Sequence, residues 1–169
     1  MGSAEARFVA AVSEAKAPDP VWKALEDLAQ NIVGHKLFTV MAVDMTAGLS
    51  RRAYSNQPAA YPVSGTKPIP DNRWFDIIHK QRRTFVANTI EDIATVFPDH
   101  ELIASLGCRS VVNLPVVLQG ELVATINLLD AAGHYTPERV AAAEAELAVP
   151  ARLCSALALR FDPVARTAA

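Results

Sequence analysis

Branched apolar residues dominate two runs in the second half of the chain, 110–118 and 122–129, and Gln119, Gly120 and Glu121 separate them. Val, Leu and Ile suit a pleated sheet, and a central glycine supplies a positive φ, so the pattern predicts a β-hairpin. Successive side chains in a strand point to opposite faces. With Leu118 opposite Leu122, one face carries Val112, Leu114, Val116, Leu118, Leu122, Ala124, Ile126 and Leu128. The other carries Val111, Asn113, Pro115, Val117, Val123, Thr125, Asn127 and Leu129, its polar members gathered near the middle. A two-residue turn at Gln119 and Gly120 would instead slip the register by one and mix the faces. Neither face shows the clean alternation of a half-solvated sheet, so both must be covered.

Upstream, the period changes along the chain. Residues 3–16 read as a helix with Phe8, Val9 and Val12 as its stripe, and Pro18-Asp19-Pro20 breaks it. Asp19 is expected to cap a second helix, with Pro20 at its first position and Trp22, Leu25, Ala29 and Ile32 on one face. The continuous apolar run 37–44 predicts a central strand. A second strand, 49–55, has Arg51 and Arg52 marking it as nearer the edge. Residues 56–71 form a proline-rich loop, and loops of that length are often functional. Asp71 is expected to cap a short helix, 72–82, presenting Trp74, Phe75, Ile77 and Ile78. A short strand at 84–87 and an irregular-to-helical stretch at 90–106 complete the middle of the chain.

Thr136 and Pro137 cap a closing helix that reaches about Phe161 and is interrupted at Pro150. Val140, Leu147, Cys154 and Phe161 recur every seven residues, with Ala143 and Leu157 between them. That stripe predicts a partner helix: a second copy, giving the expected homodimer through the terminal helices, or, as the competing explanation, the 3–16 helix of the same chain.

Together these elements give an α/β fold. A mainly antiparallel sheet of five or six strands has the terminal helices on one face and loops with short helices on the other. The chain reads as one domain over 1–169, with a core at about 21–160, an N-terminal helix within 1–17 and a disordered tail at 162–169. Packing the wholly apolar hairpin face on the helices turns Asn113, Thr125 and Asn127 toward the loop side, where Thr39 and Met41 join them. Tyr54, Trp74, Phe75 and Phe97 would wall that space, and His100 would give it a polar rim. Burying an unpaired polar group costs ~1–3 kcal/mol. The polar side chains are therefore paired to the protein or await a ligand, and the sequence leaves both open.

Composition narrows the function. At 169 residues and 51% hydrophobic the chain can bury a sizeable core, and a net charge of −2 gives no electrostatic footprint for nucleic acid or an acidic membrane surface. No apolar run approaches the ~20 residues of a membrane span. Ala6 stands where a myristoylation signal wants Ser or Thr, and Glu5 and Arg7 speak against a signal peptide, so a cytoplasmic location is expected. The four histidines and two cysteines show no metal-ligand spacing. Cys108 has Arg109 beside it, but adjacent strand residues face apart, so an inert buried thiol is expected. Arg51-Arg52 and Arg82-Arg83 read as solvated charges. No nucleophile elbow, phosphate-binding loop or dinucleotide fingerprint is present.

The layout from Gly107 onward resembles the end of a GAF domain. Leu114-Pro115 lies in the first strand, Gln119-Gly120-Glu121 turns, 124–128 forms the next strand, and Tyr135-Thr136-Pro137-Glu138 opens the long helix. The likeness extends more weakly over roughly 21–159, and it implies a small-molecule-sensing module of signalling proteins. The chain also distantly resembles the free methionine-(R)-sulfoxide reductases, through Phe97-Pro98-Asp99-His100 and the hairpin. Trp74-Phe75 and Glu101-Leu102-Ile103 stand where that family keeps cysteines, and Val111, Asn127 and Leu129 where it keeps substrate-binding acids. The signature of the cyclic-nucleotide GAF domains is missing, and Arg109 follows Cys108 where bilin-binding relatives have a histidine.

The expectation is a non-catalytic, cofactor-free sensor that binds a small organic molecule through Thr39, Met41, Tyr54, Trp74, Phe75, Phe97, His100, Asn113, Thr125 and Asn127. With no attached output domain in the sequence, it is expected to act on a separate signalling protein. The alternative is a structural dimerisation module whose pocket its own side chains fill. The least favoured reading is a sulfoxide reductase using Cys108.

Overall fold

The computed structural model describes residues 2–161. The tail at 162–169 lies outside the described residues. The strands are β1 Leu37–Asp44, β2 Leu49–Ser55, β3 Lys67–Pro68, β4 Phe85–Ala87, β5 Ser110–Leu118 and β6 Glu121–Asp130. They form one six-stranded sheet in the order β3-β2-β1-β6-β5-β4, with every neighbouring pair antiparallel. β2 therefore lies next to the edge, covered there by a strand of two residues.

Helices α1 (Ala4–Glu14), α2 (Pro18–Ile32) and α6 (Pro137–Phe161) stack on one side, α2 packing between α1 and α6. The short helices α3 (Arg73–Phe75), α4 (Ile90–Ala94) and α5 (His100–Ser105), with a π-helical turn at Asp76–Lys80, lie in the segments before β5. Two apolar layers result. Phe38, Val40, Val112, Leu114, Ile126 and Leu128 join the helices in one. Leu37, Val43, Ile78, Phe85, Ile93 and Val111 belong to the other, on the loop side.

Several local expectations shift. Ser3 caps α1 through its side chain, and Phe8 is its buried residue, whereas Val9 is 59% exposed and lies off the stripe. α2 begins two residues early, with Pro18 and Pro20 both inside its first turn. Prolines fit there because those amides have no intrahelical acceptor. Asn72, not Asp71, caps α3 by accepting from the Phe75 amide at 3.1 Å. α6 continues through Pro150 without interruption.

The heptad stripe is consumed within the chain. Ala143, Leu147 and Cys154 are fully buried against α2 and the sheet, and the Cys154 thiol reaches the Val21 carbonyl at 3.6 Å. Phe161 stands apart, half exposed. α2 is the partner helix that the periodicity called for, so the stripe no longer argues for a second chain.

The hairpin resolves the register question in an unexpected way. Its turn is the tight two-residue one, with Gln119 at φ 50° and Gly120 at φ 83°, the left-handed pair a type I′ turn requires. The slip this causes is then cancelled. Val117 pairs with Leu122 but Val116 with Ala124, leaving Val123 as an extra residue in β6. Beyond that bulge the expected pairing returns, with Asn113 opposite Asn127 and Leu114 opposite Ile126. Leu122 and Val123 change sides, Leu122 joining the loop-side layer and Val123 packing against the helix-side one.

Candidate functional site

Between the loop-side sheet face and its cover lies a cavity of about 470 Å³. That is room for a small organic molecule. Alternation places its floor. Thr39 and Met41 project from β1, Asn113 from β5, Asn127 from β6 and Arg52 from β2. Trp74 and Phe75 come from the α3 segment, Phe97 and Asp99 from the connection into α5, and Tyr61 from the proline-rich loop. Phe97 packs edge-on against both Trp74 and Phe85, with ring centroids 6.2 and 6.0 Å apart, which stiffens that wall.

Asn113, Asn127 and Thr39 are paired, side chain to side chain. Trp74 Nε1 donates to Asn113 Oδ1 at 2.9 Å, Asn113 Nδ2 to Asn127 Oδ1 at 2.7 Å, and Asn127 Nδ2 to Thr39 Oγ1 at 3.2 Å. An indole N–H can only donate, so Trp74 fixes the orientation of both amides and the direction of the whole chain of bonds. Asn113, Asn127 and Thr39 are all buried, at 2, 7 and 6% exposure, and each has a partner. The hydroxyl proton of Thr39 closes the series with no acceptor among the described residues.

Three expected site residues lie elsewhere. Tyr54 is on the helix side. Val40 pairs with Tyr54 but Met41 with Arg52, so Ala53 is a bulge that reverses the alternation between Arg52 and Tyr54. Tyr54 packs on Phe38 and donates its hydroxyl to Glu26 Oε2 at 2.6 Å. His100 folds back toward the Phe97 carbonyl, 3.2 Å from its Nδ1, and does not line the cavity. Thr125 is wholly buried in the row between Met41 and Pro115, outside the lining, and its hydroxyl has no partner.

Other lining residues escape a sequence reading. Arg51 and Arg52 are not solvated charges. Arg51 is 9% exposed, and Arg52 is half-buried in the cavity wall. The Arg52 guanidinium lies 4.7 Å over the Tyr61 ring, and its Nη1 donates to the Pro62 carbonyl at 3.0 Å. Burial disfavours its charged form. Tyr61 donates its hydroxyl to Asp99 Oδ2 at 2.7 Å, and burial together with that bond raises its pKa. The available signal was the alternation itself, which sends adjacent arginines to opposite faces of a covered sheet.

The two thiols are buried and unpaired. Burial pushes Cys108 up to about 11 and Cys154 up to about 12, so both are protonated at neutral pH. Among the described residues, no group of three His, Cys, Asp or Glu side chains is placed to hold a metal ion, and no helix is long and apolar enough to cross a membrane.

Three solved structures with this arrangement are distant in sequence. One is the GAF domain/HD domain protein of Geobacter sulfurreducens, at a TM-score of 0.66 and 11% identity, covering 89% of this chain and 97% of that one. The chain has the GAF fold. The GAF domain of a two-component sensor histidine kinase from Bacillus halodurans gives 0.60 at 14% identity, over 85% of this chain and 92% of that one. The photosensory core module of the Stigmatella aurantiaca phytochrome gives 0.61 at 13%, over 94% of this chain and 36% of that one. No protein-family model matches the sequence, and no curated protein does. In GAF terms, the cavity lies between the sheet and the segments leading into β5.

Proposed function

We propose that this chain is a non-catalytic sensory or regulatory domain that binds a small organic molecule in the loop-side cavity and acts on a separate signalling protein. The observation that carries the reading is a cavity of about 470 Å³ whose polar groups are already oriented by Trp74. A floor fixed in advance lowers the ordering cost of binding. The neighbours in fold supply the class, since they include the GAF region of a sensor kinase and part of a phytochrome. Against catalysis, both thiols are held in the protonated form, and neither lines the cavity. A thermal-shift screen against a metabolite library tests the reading. A true ligand at ~100 times its Kd adds ~2.7 kcal/mol of stability. A screen in which no compound raises Tm would contradict it.

A further inference from the structure

We propose that the cavity takes an organic monocarboxylate with an apolar body, the carboxylate held by Arg52. This rests on the cavity being the ligand site. Arg52 is a half-buried cation with no carboxylate in contact, Asp99 acting on it only at a distance. Its Nη1 is used by the Pro62 carbonyl and its face by the Tyr61 ring, while Nε is buried with no partner. Nη2 has no partner among the described residues. The acid in the same wall, Asp99, accepts from the Tyr61 hydroxyl and makes no ion pair with Arg52. A guanidinium with a free edge suits a planar carboxylate, and half-burial protects the pair from salt.

Charge counting limits the anion. Arg52 and Lys67 stand against Asp99 in the lining, a balance of one positive charge. That matches a monoanion, whereas a phosphate dianion would meet Asp99 with its second charge. The remainder of the wall sets the body. Leu37, Val43, Val111, Leu129, Trp74 and Phe97 offer apolar surface and no further charge. The hydroxyl proton of Thr39 can serve a polar group carried elsewhere on the ligand.

Calorimetric titration of the full chain with phenylacetate, phenylbutyrate and phenylhexanoate, each beside its amide and the corresponding amine, tests this. A charge-assisted bond to a half-buried guanidinium predicts a carboxylate bound about 10- to 100-fold tighter than its amide. Arg52→Gln should abolish that preference, whereas Lys80→Gln, outside the cavity lining, should keep it. An amide or amine that binds as tightly as the carboxylate, or a preference that survives Arg52→Gln, overturns the carboxylate while leaving the cavity as a ligand site. No binding by any member of the series overturns the carboxylate proposal and leaves the cavity reading to the metabolite screen. If Arg52→Gln fails to fold by circular dichroism, the carboxylate-to-amide ratio of the unmodified chain decides the matter. A ratio near one refutes the proposal.

Discussion

Trp74 and Asn113 lie 39 residues apart in sequence and are joined by one hydrogen bond, indole Nε1 to amide Oδ1, at 2.9 Å. The bond ties the cavity's cover to its floor and sets the amide orientations beneath it. Trp74→Phe keeps an aromatic ring but removes the donor, leaving the Asn113 oxygen buried and unpaired. The expected loss is ~1–3 kcal/mol by urea denaturation with an unchanged m-value. A loss below ~0.5 kcal/mol would mean that the amides reorient freely.

The hairpin turn offers two substitutions of opposite sign. Gly120 has φ 83°, and nothing lies within 4 Å of an added Cβ, so Gly120→Ala costs only the left-handed conformation, about 1–2 kcal/mol. Gln119 occupies the other left-handed position at φ 50°, where asparagine is favoured. Gln119→Asn should therefore raise stability by a few tenths of a kcal/mol. Paired thermal melts check both signs.

How far the sequence could be read followed the reach of each physical cue. The strands β1, β2 and β5 came out at their observed bounds, because continuous branched apolar runs admit few alternatives. Thr39, Met41, Asn113 and Asn127 were placed on the loop side by alternation alone, and they line the cavity. Alternation failed at Tyr54 and Leu122, and for one reason. Each lies just past a bulge, at Ala53 or Val123, and an extra residue in one strand depends on its pairing partner. The heptad in α6 was real, but periodicity shows only that a helix has an apolar stripe. It does not say whether α2 of the same chain or another copy will cover it. Tyr61, Asp99 and Arg52 come together from a loop, a helix start and a strand, a meeting that only the tertiary fold produces.

The thiols give a pH dependence with a definite sign. Burial raises Cys108 from 9.0 to about 11 in the folded state, so folding favours the neutral thiol. That contribution is fully present below pH 9 and is lost as the pH rises from 9 through 11. Cys154, pushed up to about 12, acts in the same direction. Stability should decline above pH 9, and Cys108→Ala should reduce the slope. At pH 8 a disulfide reagent should leave both thiols of the native chain unmodified and titrate both once urea unfolds it. Rapid modification of native Cys108 would contradict this.

The two tryptophans report on opposite faces of the sheet. Trp74 lines the cavity, while Trp22 is 1% exposed within the helix layer. The most direct test is a proton–nitrogen correlation spectrum of the labelled chain, titrated with a compound that raises Tm. The Trp74 indole resonance and the Asn113 and Asn127 signals should move together and saturate, with the Trp22 indole unmoved. A stabilising compound that shifts the Trp22 indole and leaves Trp74 in place would put the ligand on the other face and refute the cavity as the sensing site.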